Sequence, residues 1–324
     1  MDKTMFVLGG TGFIGYEVVT QAVLEGWHVN ALVRSEEAAN KVKQKGANPV
    51  VGDISQLDTW IEIAGESMAL IDLTQPKFPR RLGRSAIKAI SAERQAMIRV
   101  ILAGLESLPA NQRPIFFSVS GADDLQPDDH GRINEHSPLR SSLYGFSQIG
   151  IPVRRLVETS GIETTFLYFG NLVYGPGKIF ADQFINGLKK GSAFIIGKGT
   201  NHLPLVHVTD AARALVHLAG LPRLEVKGRS FIVMDEANTT LRDLLYETAA
   251  LMGVRRPARL PAWLAALVAG SIAVETITLD VYADPSALLA TGFHFKYSSY
   301  KQGVPATLSA LGYASHLPAD IIKS

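Results

Sequence analysis

Two periodicities take turns along the first half of the chain. Short apolar runs at residues 4–8, 28–33, 49–52, 68–73, 115–120 and 164–169 have the length of buried strands. Between them apolar residues recur at helical spacing, as with Ile14, Val18 and Ala22 within 13–25. Gly26 and Gly46 stand where the helices over 13–25 and 35–45 must stop. Ser55-Gln56-Leu57-Asp58 reads as a capping box that opens the helix after the third strand. A long helical pattern fills 82–108; a polar loop rich in Asp, Gly and Pro follows the fifth strand, and a further segment opens at Ser141-Ser142. This alternation predicts an α/β protein with a doubly wound parallel sheet and helices on both faces. After Gly175-Pro176-Gly177 the pattern loosens, and the runs at 205–208 and 230–234 read as isolated strands. A smaller C-terminal lobe over 173–324 is therefore expected. It would be interwoven with a main domain of 1–172, to which 205–228 contributes.

Composition narrows the possibilities. With 324 residues, 47% of them hydrophobic, the chain can bury a large core. A net charge of +2 gives no broad field for nucleic acid, and no nucleic-acid partner is expected; any basic site must be local. The absence of cysteine excludes disulfides, thiolate catalysis and cysteine-ligated zinc, and it suits the expected cytoplasmic location. Met-Asp-Lys-Thr followed by a strand does not read as a signal peptide. The longest apolar run, 262–274, is too short to span a bilayer. It reads as a wall of the smaller lobe, with peripheral membrane contact as the alternative. His130 and His136 lie in a loop too irregular for a metal site, so no metal is expected, and His207 reads as a structural histidine ahead of a helix capped by Thr209-Asp210.

The candidate chemistry begins in Gly9-Gly10-Thr11-Gly12-Phe13-Ile14-Gly15, between the first strand and the first helix. Gly9 permits a tight turn, Gly12 lets backbone approach a pyrophosphate, and Gly15 lets helix pack close to strand. The helix N-terminus then offers unpaired N–H groups to the phosphates, the arrangement of a Rossmann dinucleotide site. A carboxylate at the end of the second strand would suit the ribose of NAD; a cation there suits the 2′-phosphate of NADP. This chain has Arg34-Ser35 and no acid at the tip, although Glu36 and Glu37 follow. NADP(H) is favoured over NAD(H). Asp53, followed by Ile54, either accepts from an adenine amino group or caps a helix. Leu73, Thr74, Gln75 and Ser118, at strand ends, complete the expected cofactor contacts. Lys77 opens a loop with Arg80, Arg81 and Arg84 that either receives an anionic substrate or starts a solvated helix.

Taken with Gly-Asp-Ile at 52–54, Tyr144-Gly-Phe-Ser147, Gly-Asn-Leu-Val-Tyr-Gly-Pro-Gly at 170–177, Leu-Val-His-Val-Thr-Asp-Ala-Ala-Arg at 205–213 and Leu311-Gly-Tyr313, the glycine turn gives an ordered set across nearly the whole chain. It resembles the extended short-chain dehydrogenase/reductases, the NAD(P)-dependent epimerase/dehydratase group. The resemblance implies a Rossmann sheet with a C-terminal substrate lobe, a small-molecule substrate, and a homodimer formed through the helices after the fourth and fifth strands. It implies that Ser120 positions the reacting oxygen and that Tyr144 transfers a proton to or from it. The family's lysine, four residues after the tyrosine, is here Gln148, a neutral ribose contact. Without that cation Tyr144 is a poor base at neutral pH but still an acid, which favours ketone reduction over alcohol oxidation. Pro152 predicts a kink or break in the helix that follows. The family's arginine three residues before Asn171 is here Tyr168; Asn171 and Tyr174 are candidate substrate contacts. The expected function is an NADP(H)-dependent oxidoreductase that reduces a carbonyl. The alternatives are an epimerase or dehydratase working by transient oxidation, and a catalytically degenerate cofactor-binding regulatory protein.

Overall fold

The computed structural model describes residues 3–313. Seven parallel strands form one sheet: β1 (Thr4–Leu8), β2 (His28–Val33), β3 (Asn48–Val51), β4 (Ala69–Asp72), β5 (Ile115–Gly121), β6 (Thr164–Phe169) and β7 (Ser230–Val233). Their spatial order is 3-2-1-4-5-6-7. The chain winds outward from β1 through β2 to β3, then returns to β4 and continues the other way. Where the winding reverses, between β1 and β4, the carboxyl ends of the strands border a crevice.

The helices used below are α1 (Phe13–Leu24), α2 (Glu36–Lys43), α3 (Ile61–Gly65), α4 (Arg84–Ser107), α5 (Ser147–Thr159), α6 (Val208–Ala219), α7 (Leu241–Leu251), α8 (Ala262–Ala269), α9 (Ser271–Ile277) and α10 (Tyr300–Ala310). Successive strand residues face opposite sides of the sheet, and the buried side chains divide accordingly. Met5, Val7, Ala31 and Phe117 join the core under α1, α2 and α6, whereas Phe6, Leu8, Leu70 and Phe116 join the core under α3, α4 and α5. Every residue of β6 is buried, which is why its sequence is a continuous run and not an alternating one. A third apolar cluster, including Leu172, Leu205, Leu244, Leu245 and Val304, holds the C-terminal lobe together. Among the described residues, no helix is long and apolar enough to cross a membrane.

The strands of the first half fall within a residue or two of their expected places, and the stop signals act as read. Gly26 and Gly46 have φ of 79° and 87°, and Ser35 caps α2 by accepting from the Ala38 amide at 3.2 Å. Four expectations change. The run at 230–234 is not isolated: Phe231 and Val233 face one core and Ile232 the other, so this segment adds β7 to the main sheet, beyond the 205–228 contribution expected. Ser55 opens no helix, because its amide and hydroxyl both donate to Asp53 Oδ1, at 3.0 and 2.7 Å. The segment at Ser141-Ser142 is irregular, and α5 begins only at Ser147.

The fourth change concerns Pro152, which lies inside α5 without breaking it. Proline removes the N–H that would have bonded to the Gln148 carbonyl. In its place the Ser91 hydroxyl, reaching across from α4, donates to that oxygen at 2.7 Å. Ser91→Ala leaves a carbonyl without this donor and is expected to cost ~1–2 kcal/mol in a urea titration. In a Pro152→Ala background residue 152 regains its N–H, so the same change should cost much less. Equal costs in both backgrounds would break the link between the two residues.

Candidate active site

The glycine turn is shaped by backbone contacts. Gly9 has a φ of 82°, and any Cβ there would lie 2.8 Å from the Leu73 carbonyl oxygen at the end of β4. A Cβ on Gly15 would collide with the carbonyl of Gly9, so α1 packs against the turn only because both positions are bare. The Gly12 amide closes the turn on Gly9 O at 2.9 Å. No side chain caps α1, and Thr11 and Gly12 are exposed, so the first amides of the helix, Phe13 and Ile14, are left for a ligand. Gly10 packs inward against Val19 and Ala31. From the other lobe, Gly177 comes against the Phe13 ring, a Cβ there lying 3.1 Å from it. This cradle fits a diphosphate.

Arg34, exposed at the tip of β2, makes no hydrogen bond or ion pair among the described residues. Ser35 spends its acceptor on α2 but keeps its O–H. Asp53 is engaged locally: donation from Ser55 holds its carboxyl below the ordinary range, with Arg34 a lesser cause. The Ile54 carbonyl accepts from the Trp60 indole at 3.3 Å.

At the end of β4 the structure shows a pair that the sequence reading missed. Asp72 and Arg94 are buried and bonded at 2.6 Å. Thr74 donates to Asp72 from its amide and hydroxyl, at 3.0 and 2.5 Å, and its hydroxyl also accepts from Arg94 at 2.9 Å. These bonds fix Leu73, Thr74 and the following Gln75, which is exposed. A signal was present: Arg94 lies four residues from both Ile90 and Ile98, on the buried face of α4. Ser118 is buried beside Asp72 in register on β5, and Lys77 is exposed.

The carboxyl end of β5 carries two more unforeseen groups. Ser120 donates to Asp124 Oδ2 at 2.5 Å, and both Asp123 and Asp124 are buried. Burial pushes Asp123 up to about 6 and holds Asp124 well above the carboxylate range, with its neighbour's charge adding to the effect. Asp123 accepts from the Phe146 amide at 2.5 Å, Glu275 from the Gly145 amide at 3.1 Å, and Ser147 from the Tyr144 amide at 2.6 Å. Tyr144 therefore sits in a turn ahead of α5, with Gly145 at a φ of 54°, and not on the helix. Gln148 is in the first turn, its Nε2 reaching only the Gly145 carbonyl at 3.4 Å. The shared helix face implied by the four-residue spacing is not formed.

The expected substrate contacts fare differently. Asn171 is half-buried and donates to the Thr276 carbonyl at 3.0 Å, tying the loop after β6 to α9. Tyr174 is fully buried, its ring against His207 and Phe180, so packing closes it to a substrate. His207, and not Thr209-Asp210 as expected, caps α6: its Nδ1 accepts from the Thr209 amide at 3.2 Å, its Nε2 meets Thr307, and burial pushes it down to about 4, which keeps it neutral.

The sequence model of the NAD dependent epimerase/dehydratase family matches residues 5–233. A Schizosaccharomyces pombe protein of uncharacterised function is 31% identical over 221 residues, 65% of this chain and 69% of its own. A Stigmatella aurantiaca enzyme, 4-hydroxy-2-methyl-3-oxo-4-farnesyl-3,4-dihydroquinoline-1-oxide ketoreductase, is 34% identical over 119 residues, 34% of this chain and only 36% of that enzyme. The crystal structure of human epimerase family protein SDR39U1 with NADPH superposes with a TM-score of 0.74 at 19% identity, covering 94% of this chain and 99% of that one. At that identity the likeness is one of fold.

The buried carboxyls set a pH dependence. A folded pKa above the unfolded value means that the folded state holds the proton more tightly, so the contribution is full at low pH and lost as pH rises through about 6 for Asp123. Relative to wild type, Asp123→Asn should therefore gain stability between about pH 4 and pH 7, by on the order of 2–3 kcal/mol. Urea titrations across that range check this; a difference independent of pH would refute it.

Proposed function

The chain belongs to the NAD-dependent epimerase/dehydratase family, and on that premise we propose that it is an NADP(H)-dependent reductase acting on the carbonyl of a small molecule. The observation that carries the reading is Ser120 at the carboxyl end of β5, hydrogen-bonded to the buried Asp124, with no cation at position 148. The Phe13 and Ile14 amides would hold the cofactor's diphosphate, and Arg34 its 2′-phosphate. The bound cofactor supplies hydride. The protein's part is to bind and orient the carbonyl and to give its oxygen a proton.

Burial shifts Asp124 toward its neutral form, and in that form its O–H turns toward Ser120, which frees the serine hydrogen for the carbonyl oxygen. Tyr144, with Gln148 in place of the family's lysine, serves as the acid. Both features favour reduction. Epimerisation or dehydration by transient oxidation would need Tyr144 as a base. The relative named as a ketoreductase supports the same direction. A second reading, a cofactor-binding protein without turnover, draws on the displacement of Tyr144 from α5.

Steady-state kinetics with a panel of ketones tests the proposal. Arg34→Ala should raise KM for NADPH by ~10–100-fold, the value of a charge-assisted phosphate contact, and leave NADH nearly unchanged. Tyr144→Phe should lower kcat by ~100-fold or more. Equal effects on both coenzymes would overturn the NADP assignment, and full activity in Tyr144→Phe would remove that residue from the chemistry. NADPH binding without turnover of any ketone would favour the second reading.

A further inference from the structure

Two segments without a role in the site converge on one patch of surface. The basic loop after β4 is pinned to the junction of α8 and α9: Arg81 Nε donates to Leu267 O at 3.1 Å, the Leu82 amide to Ala269 O at 2.7 Å, and the Ile272 amide to Leu82 O at 3.1 Å. Gly270, with a φ of 95°, has no room for a side chain against the Leu82 backbone, so the junction is tight. The loop's cations Lys77, Arg80 and Arg81, and Arg84 at the start of α4, are all exposed.

Helix α8 has no polar residue, and Ala265 is its single buried one. A helix apolar on all sides is ordinarily buried. Here Trp263 is 69%, Leu267 60% and Val268 74% exposed, and with Leu264 they form one face at i, i+1, i+4, i+5 spacing. The chain entering α8 adds Arg255, Arg256 and Arg259, also exposed. No acidic residue lies between Glu247 and Glu275, or between Asp72 and Glu93. In a protein of net charge +2, the two segments that meet at this apolar face carry cations and no acids.

We propose that α8 and the basic loop dock the protein on an anionic lipid surface. At eight residues, ~12 Å of helix, α8 would lie in the plane of the interface. Its tryptophan and aliphatic side chains would sit at the headgroup boundary, with arginines and lysines at the phosphates. Charge sets aside a second copy of this chain as the occupant. A two-fold contact through the patch would face these cations with the same cations. The inference does not rest on the nicotinamide reading.

The full chain can report on its own docking. Trp27 and Trp60 are 4% and 0% exposed, so an emission change on adding vesicles reads Trp263. Phosphatidylcholine vesicles containing phosphatidylglycerol should blue-shift the emission and carry the protein up in a flotation gradient; phosphatidylcholine alone should do neither. Leu267→Ser with Val268→Ser, and separately Arg80→Glu with Arg84→Glu, should each weaken vesicle binding tenfold or more while the far-ultraviolet circular dichroism stays unchanged. Absence of binding to the anionic vesicles would overturn the proposal. Equal binding to neutral vesicles, or self-association through this face in sedimentation velocity without vesicle binding, would do the same.

Discussion

The crevice depends on a contact between two stretches of bare backbone. Gly9 turns against the Leu73 carbonyl, and Gly15 of α1 rests on the carbonyl of Gly9, so turn, helix and the end of β4 meet with no side chain between them. Such closeness needs the facing backbone held still. The Leu73 amide bonds to Leu8 O at 3.0 Å, and just beyond it Asp72, Thr74 and Arg94 form a closed set of hydrogen bonds. A buried ion pair carries a desolvation cost of several kcal/mol per ion, which mutual attraction offsets only where the geometry is good and the other polar atoms are bonded. This pair meets that condition, and its return is placement of the β4 end opposite the glycine turn.

The other end of the crevice is organised by acids around a helix start. The amides of Tyr144, Gly145 and Phe146 go to Ser147, Glu275 and Asp123 in turn, so the first groups of α5 meet side chains and two carboxyls complement its dipole. Asp123 thereby opposes its own burial, which alone would push its pKa higher still. Asp124, next to it and holding Ser120, has no comparable amide donor and stays the more strongly shifted of the two. Burial raises the proton affinity of both carboxyls, and the Phe146 amide moderates that of Asp123.

Much of this was legible in the sequence, and the illegible part has a common cause. Strand runs, helix stops at Gly26 and Gly46, the cap at Ser35 and the glycine turn are local, decided by residues within a few positions of one another. The misplaced readings hinge on distant partners. Residues 230–234 read as isolated because pairing with β6 leaves no mark nearby. Pro152 reads as a kink or break because Ser91, on another helix, is invisible in the local pattern. Tyr144 and Gln148 have helical spacing, yet Asp123 and Glu275 hold the chain in a turn until Ser147. Tyr174 looks like a substrate contact until His207 and Phe180 close around it.

The same long-range bonds tie the C-terminal lobe to the proposed chemistry. Glu275, on α9, holds Gly145 next to Tyr144, while the neighbouring Thr276 receives Asn171 and bonds Asp123 at 3.4 Å. Gly177, beyond the short strand Leu172–Tyr174, rests on Phe13 at the start of α1. The lobe therefore contacts the crevice at both ends, and at each end it touches a group that fixes backbone there. A change in the lobe that displaced α9 would move Gly145 and the Asp123 carboxyl together. The placement of Gly145 beside Tyr144 and that of the Asp123 carboxyl are then not separable, because one short helix carries bonds to both.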